Sequence, residues 1–325
     1  MKQAYKSRAV GAREWTLSVI LIIWPIKHSF ARCYKLVTYK ILLSVMPALF
    51  MIIATLLWGA SFLFIKLALQ DIHATAFLFF RFSMATISML PGLVLYKIAF
   101  KQRAVIQGVK LGLLQVGIML LQTLGLKTIS PSLSGFLTGF SIVFVLAVRF
   151  IVRRRIPSFV DIISSLTCLA GLALLTYSYG LSWEPGVLYT LGCAFFVALH
   201  TYALDHYLLT SNTMVLTFIQ MLTLAVIAGL LSFLLGNIQL PTQAVTWGSI
   251  VFCGIFCSSL AFLLQALSQQ PLGVFKVSMF LMLEPVFATI LSYWVLGETL
   301  YTHFYIGAAM ILGSIAIINL RLKVI

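Results

Sequence analysis

Only seven of the 325 side chains are acidic, so the places where this chain could do acid–base or ion-binding chemistry stand out at once. Glu284 is the sharpest: it falls in the middle of an apolar stretch, with Pro285 directly after it. An unpaired charge at that depth in hydrocarbon costs about 2.5 to 3.5 kcal/mol on insertion scales, so this carboxyl group must be protonated, paired or wetted. It could bind a ligand's ammonium group or alternate between protonated and ionised forms; the plainer alternative is a neutral Glu bonding across helices. Pro285 removes the donor that the carbonyl of Leu281 would use, which predicts a kinked helix lining a cavity.

Arg81 carries a guanidinium fork suited to a carboxylate or phosphate, and snorkelling toward headgroups is the competing reading. Lys66, four residues before Gln70, reads first as a snorkelling side chain, although with Arg81 it could attract anions. Lys276 lies two turns before Glu284, a rise of about 12 Å that only water or a ligand could bridge. His200 could shuttle a proton or simply tie two helices together. Gln115, Gln122, Gln220 and Gln265 could line a route or act as interhelical glue. Trp58 could wall a pocket, with ordinary packing beside Gly59 as the alternative.

Other chemistry is poorly served. The chain has no H-E-x-x-H, no G-x-S-x-G, no paired aspartates and no G-x-x-x-x-G-K-[ST] phosphate loop. A membrane-embedded hydrolase or transferase would have to work with Glu284 and His200 as its acid and base. Five cysteines form no C-x-x-C, and Cys253 and Cys257 share a helix face as small packing residues. Neither a metal nor another cofactor is expected.

The elements that carry these residues follow from composition. Hydrophobic residues make up 62% of the chain, charged ones 9%, and mean hydropathy is +1.08, so a bilayer is the solvent. Taking about 20 apolar residues per crossing, ten spans are predicted: 47–69, 75–96, 105–126, 132–152, 158–179, 186–204, 213–235, 246–268, 274–296 and 304–320. Placing the N-terminus in the cytoplasm puts 18 of the 22 basic residues on that side and leaves Lys127 alone in the outer loops, so the positive-inside bias assigns both termini to the cytoplasm. The net charge of +15 is thereby explained by topology, and no basic patch with interleaved aromatics argues for nucleic acid. Gly108/Gly112 and Gly135/Gly139 form G-x-x-x-G steps that predict close helix packing.

Residues 1–46 differ from the rest, with eight basic side chains against the single acid Glu14. They read as an appendage: an interfacial anchor or signal-like segment over Trp15–Ile26, or an overcalled translation start ahead of Met46.

The chain also repeats itself. A shift of 139 residues lays the first two spans on spans six and seven, 140 sets Gly108 on Gly248 and Pro131 on Pro271, and 143 sets Val143-Phe144 on Val286-Phe287. The same shifts place Arg81 opposite Gln220 and Ser141 opposite Glu284. Five spans per half force the second copy to enter the membrane upside down, which predicts inverted repeats around a midplane pathway.

Specific residues add a resemblance. Leu57-Trp58-Gly59-Ala60-Ser61-Phe62 leading to Lys66, then Phe80-Arg81-Phe82, resemble the start of an EamA-type repeat. Leu283-Glu284-Pro285-Val286-Phe287, Leu296-Gly297-Glu298-Thr299 and Ile306-Gly307-Ala308-Ala309 to Gly313 resemble its closing stretch. The first half departs from that pattern, with Ile142-Val143-Phe144 and Arg154-Arg155 at the corresponding places, so no role of the family's acidic residue passes to Arg155. Similarity to the drug/metabolite transporter superfamily implies an all-α membrane protein of ten transmembrane helices, with EamA repeats over 47–180 and 186–320 and a short tail over 321–325. It further implies an inner-membrane location and transport of a small metabolite such as an amino acid, an S-adenosylmethionine-like or nucleoside-like compound, or a drug. The expected partners are that small molecule and membrane lipids, with a homodimer left open and nucleic acid not expected.

Overall fold

The computed structural model describes residues 32–154, 158–176, 184–297 and 301–320, and every regular element among them is helical. Hydrocarbon cannot satisfy backbone N–H and C=O groups, and helices satisfy their own. In chain order the helices are α1 (Arg32–Ala68), α2 (Ala74–Leu95), α3 (Gln102–Gly125), α4 (Pro131–Gly139), α5 (Ser141–Arg153), α6 (Phe159–Thr176), α7 (Pro185–Tyr207), α8 (Thr213–Leu234), α9 (Ala244–Gly254), α10 (Ala261–Leu281), α11 (Glu284–Leu296) and α12 (Thr302–Leu320). A π-turn, Ile255–Leu260, joins α9 to α10. Residues 1–31, the tail 321–325, Arg155 and Glu298 lie outside the described residues, while 32–46 continue α1 as helix ahead of Pro47.

Eight stretches among the described residues are long and apolar enough to cross a membrane, and Phe159–Leu174 is a shorter apolar helix. One stretch, Ala244–Leu281, has 38 residues, well beyond the roughly 20 that one crossing needs. It turns at Gly273, whose φ of 76° only glycine adopts cheaply.

Two of the predicted spans are broken rather than continuous. Predicted span nine is interrupted at Met282 and Leu283, whose N–H groups bond the carbonyls of Met279 and Phe280 three residues back instead of four. Helix α11 then restarts at Glu284 with Pro285 in its first turn, where a missing N–H costs nothing. The kink expected from Pro285 is thus a full break. Predicted span four breaks at Phe140, whose N–H bonds Leu137 O, while Val143 N bonds Phe140 O. No proline marks this second break.

Helix pairing is reciprocal between the halves. Helix α1 packs on α10 and α11, as α7 packs on α3 and α4; α9 packs on α2, as α8 packs on α3; α2 meets α8, α4 meets α11 and α6 meets α12. Glycines permit the closest approaches. A Cβ at Gly59 would sit 2.8 Å from the Glu284 carbonyl, and one at Gly135 would sit 3.0 Å from the Cα of Pro285, so α1 and α4 grip the restart of α11. Gly108 and Gly112 face Ile219 and Thr223 of α8, and Gly139 faces Leu172 and Met282.

Loops tie the halves together at both ends of the bundle. Asp71 accepts from Thr242 N (3.0 Å), Gln243 N (3.1 Å) and the Thr242 hydroxyl, so the α1–α2 turn caps α9. These donors, the Thr242 hydroxyl first, hold the Asp71 pKa below the ordinary carboxylate value. Helix α2 carries the chain to the opposite end. There the α7–α8 turn bonds α3: Ser211 Oγ donates to Gln107 Oε1 at 2.6 Å, and Gln107 Nε2 donates to Thr210 Oγ1 at 3.2 Å.

Gly59→Val is expected to force α1 off backbone atoms that cannot yield, destabilising the protein by about 1 to 3 kcal/mol. Gly248→Ala, with nothing within 4 Å of its added Cβ, should change little. Melting temperatures of the two purified variants against the parent protein check this, and equal melting would refute the close approach.

Candidate functional site

A cavity lies where both helix breaks meet, lined by residues of α1, α2, α3, α4, α7, α10 and α11. Glu284, at the first position of α11, faces it alongside Leu281, while Thr138, two residues before the break at Phe140, contributes from α4. Trp58, Arg81, Gln115, Gln122, His200 and Gln265 also line it, so seven of the ten residues singled out by type and spacing converge on one space. Gln220 stands directly behind, with its Oε1 3.0 Å from His200 Nε2.

The other two candidates lie elsewhere. The Lys66 ammonium donates to the carbonyls of Leu126 (2.7 Å), Ile129 (3.1 Å) and Lys127 (3.4 Å), satisfying chain ends after α3 in the manner expected of a cation at a helix C-terminus. Lys276 donates to Asn319 Oδ1 at 3.4 Å, toward α12. Neither lines the cavity.

Arg81 does not snorkel. It is 0% exposed, Nε donates to Ser258 Oγ at 2.9 Å, and Nη1 and Nη2 have no hydrogen-bond partner. Both amide atoms of Gln115 and Oε1 of Gln265 are likewise buried without partners. Buried polar atoms are normally satisfied, so a cluster of orphans around one cavity marks a place where a polar ligand completes the bonding. Among the described residues Arg81 and Glu284 form no ion pair with each other, and the Glu284 carboxyl group has no hydrogen bond.

Apolar lining completes the chemistry. Trp58 and Phe262 meet at a tilt of 57° with 5.0 Å between centroids, Phe262 meets His200 edge-on at 6.4 Å, and Phe62, Ile118 and Met119 also contribute to the wall. The space therefore offers one cation, one acid, several amides and an aromatic face.

What holds this lining in place was not visible in the residue pattern. The π-turn offers the Cys257 carbonyl to Trp58 Nε1 at 2.9 Å, Ser258 to Arg81, and Ser259 to Ser88, whose Oγ donates at 2.8 Å. Gly254, just ahead of it, brings α9 so close to α2 that a Cβ there would lie 2.8 Å from the Arg81 carbonyl. Nothing in Ile255-Phe256-Cys257-Ser258-Ser259-Leu260 announces a π-turn; a Gly-Ile-Phe-Cys-Ser-Ser run opposite an intramembrane Arg is the only signal that could have flagged it.

With this geometry in view, similarity to known proteins is decisive on family. The model of the EamA-like transporter family matches residues 45–177 and again 184–320. The chain belongs to the EamA-like transporter family. An uncharacterized transporter of Archaeoglobus fulgidus is 27% identical over 270 residues, covering 83% of this chain and 84% of that protein. A solved crystal structure superposes with a TM-score of 0.70 at 18% identity, over 85% of this chain and 98% of its own, which shows that the fold is shared. This EamA-type chain is thus a multi-pass membrane protein, and each of its two family matches supplies one of the cavity's ionisable groups: Arg81 from the first, Glu284 from the second.

The lining also follows the internal repeat. Ser61 and His200, Trp58 and Val197, and Phe62 and Thr201 are pairs 139 residues apart, and Thr138 and Leu281 are 143 apart; all eight face the cavity.

Trp58→Phe keeps the ring but leaves the buried Cys257 carbonyl without its indole donor, and is expected to lower stability by about 1 to 3 kcal/mol. A melting temperature unchanged from the parent would show that the π-turn does not depend on this bond.

Proposed function

We propose that this chain is a secondary carrier that moves a small polar or amphipathic metabolite across the cytoplasmic membrane by alternating access. In this reading ten helices form two inverted five-helix repeats with both termini cytoplasmic. The observation that carries it is the cavity at the two helix breaks, because broken helices at a repeat interface are how carriers build binding sites within the hydrocarbon depth. The reciprocal helix pairing and the paired lining positions support the repeats, and the turn at Gly273 supports two crossings within Ala244–Leu281. The match to a transporter family and the transporter from Archaeoglobus fulgidus favour carriage over catalysis.

The division of labour follows from the side chains. Glu284 binds a cationic group of the substrate or exchanges a proton with it, Arg81 binds an anionic group, the glutamines supply neutral hydrogen bonds, and His200, held by Gln220, shapes the wall. Trp58, Phe62 and Phe262 accept the apolar part, which fits an amino acid, an S-adenosylmethionine-like or nucleoside-like compound, or a drug. With no phosphate loop in the chain, gradients supply the energy.

Glu284→Gln preserves shape and leaves no hydrogen bond broken, so folding should persist while counterflow in proteoliposomes falls by about tenfold or more, the equivalent of about 1.4 kcal/mol. Counterflow equal to the parent would remove Glu284 from the mechanism. Recovery of a chemically altered product, in place of the substrate unchanged, would overturn the carrier and favour an enzyme built on Glu284 and His200.

A further inference from the structure

A guanidinium offers a two-oxygen anion two usable edges, one formed by Nε with an Nη and one formed by Nη1 with Nη2. In Arg81 the first edge is closed, because Nε is committed to Ser258 Oγ at 2.9 Å. The second edge is free: both Nη atoms are buried without partners, in a side chain that is 0% exposed and lines the cavity. Ser258 itself is fixed by the π-turn, whose neighbouring positions are tied to α1 through Trp58 and to α2 through Ser88. The direction of the fork is therefore set from three sides.

We propose that Arg81, with Nε pinned by Ser258, is a carboxylate-binding site that holds the substrate end-on through Nη1 and Nη2, and that Ser258 is its positioning residue. This rests on the carrier reading and narrows its substrate to a small zwitterion. Charge balance selects that class. A substrate ammonium beside Glu284 favours the ionised carboxylate, so a molecule carrying one carboxylate and one ammonium leaves the filled cavity neutral, its carboxylate on Arg81 and its ammonium on Glu284. A phosphomonoester dianion would leave it negative, and an amine alone would leave the guanidinium uncompensated. The ring pair Trp58–Phe262 covers an apolar body attached to those two groups.

The test is binding to the purified full-length chain in detergent, read by calorimetry. The probes are L-leucine and L-phenylalanine, their carboxamides, which keep the ammonium group and body but lose the carboxylate, and phenyl phosphate. At least one amino acid should bind about tenfold or more tightly than its amide, the loss expected when bonds to a charged group are removed. Arg81→Gln should equalise acid and amide. Ser258→Ala should weaken the acid several-fold without affecting the amide, and Ser258→Thr, which keeps the hydroxyl, should restore the preference; a merely structural serine would alter both ligands alike. Acid and amide binding equally to the parent protein, phenyl phosphate outbinding both amino acids, no binding by either amino acid, or an acid preference unchanged in Ser258→Ala would each overturn the proposal. Carboxylate-selective binding without counterflow would sink the carrier reading alone, whereas counterflow of a substrate indifferent to Arg81→Gln would sink this one alone.

Discussion

A guanidinium and a carboxyl group stand inside a bundle whose outer surface is built for hydrocarbon, and they form no ion pair with each other. Removing a guanidinium and a carboxyl group from water costs several kcal/mol each even after relaxation, and pairing them directly would offset part of that. Here the guanidinium is met instead by one hydroxyl, from Ser258, and the Glu284 carboxyl group by no hydrogen bond among the described residues. The rest of the architecture serves to keep these groups apart and in one space. Local irregularities that would weaken a water-soluble helix bundle are concentrated around them.

Those irregularities share a logic. Backbone that leaves the regular helical pattern must be covered by protein, since lipid offers no donors or acceptors. The break at Met282–Leu283 is gripped by Gly59 and Gly135, whose missing side chains let α1 and α4 approach the backbone of α11. The π-turn is covered by α1 and α2, which use its displaced groups as acceptors for Trp58 and Arg81. Each departure from ideal geometry thus delivers a specific side chain to the cavity, and sequence, local conformation and site chemistry meet at the same few residues.

The membrane-crossing helices and the family were legible because hydrophobic run length is a strong signal in a membrane chain, although the ten predicted spans stand as eight long apolar stretches and the shorter Phe159–Leu174 among the described residues. Pro285 even marked where one helix stops. Its counterpart at Phe140 was invisible, since Ile142 stands where the proline would be and nothing local forbids a continuous helix there. Arg81 and Lys66 looked alike as intramembrane cations near one edge. Only tertiary packing separates them, burying Arg81 beneath α9 and the π-turn while Lys66 reaches the carbonyls after α3. Ser258 was overlooked because serine is common in apolar helices, where it usually bonds its own backbone, as Ser268 and Ser278 do.

The unequal halves limit how such a protein can be assembled from simpler parts. The position matching Arg81 is Gln220, and the one matching Glu284 is Ser141. A symmetric pairing of two first halves would therefore enclose two guanidinium groups and no acid, and a pairing of two second halves the converse. Each half carries an ionisable residue that the other lacks, so the two halves are not interchangeable. In the carrier proposed above, such a chamber would hold a molecule with a dipole in one orientation only, whereas a twofold chamber would accept it either way round.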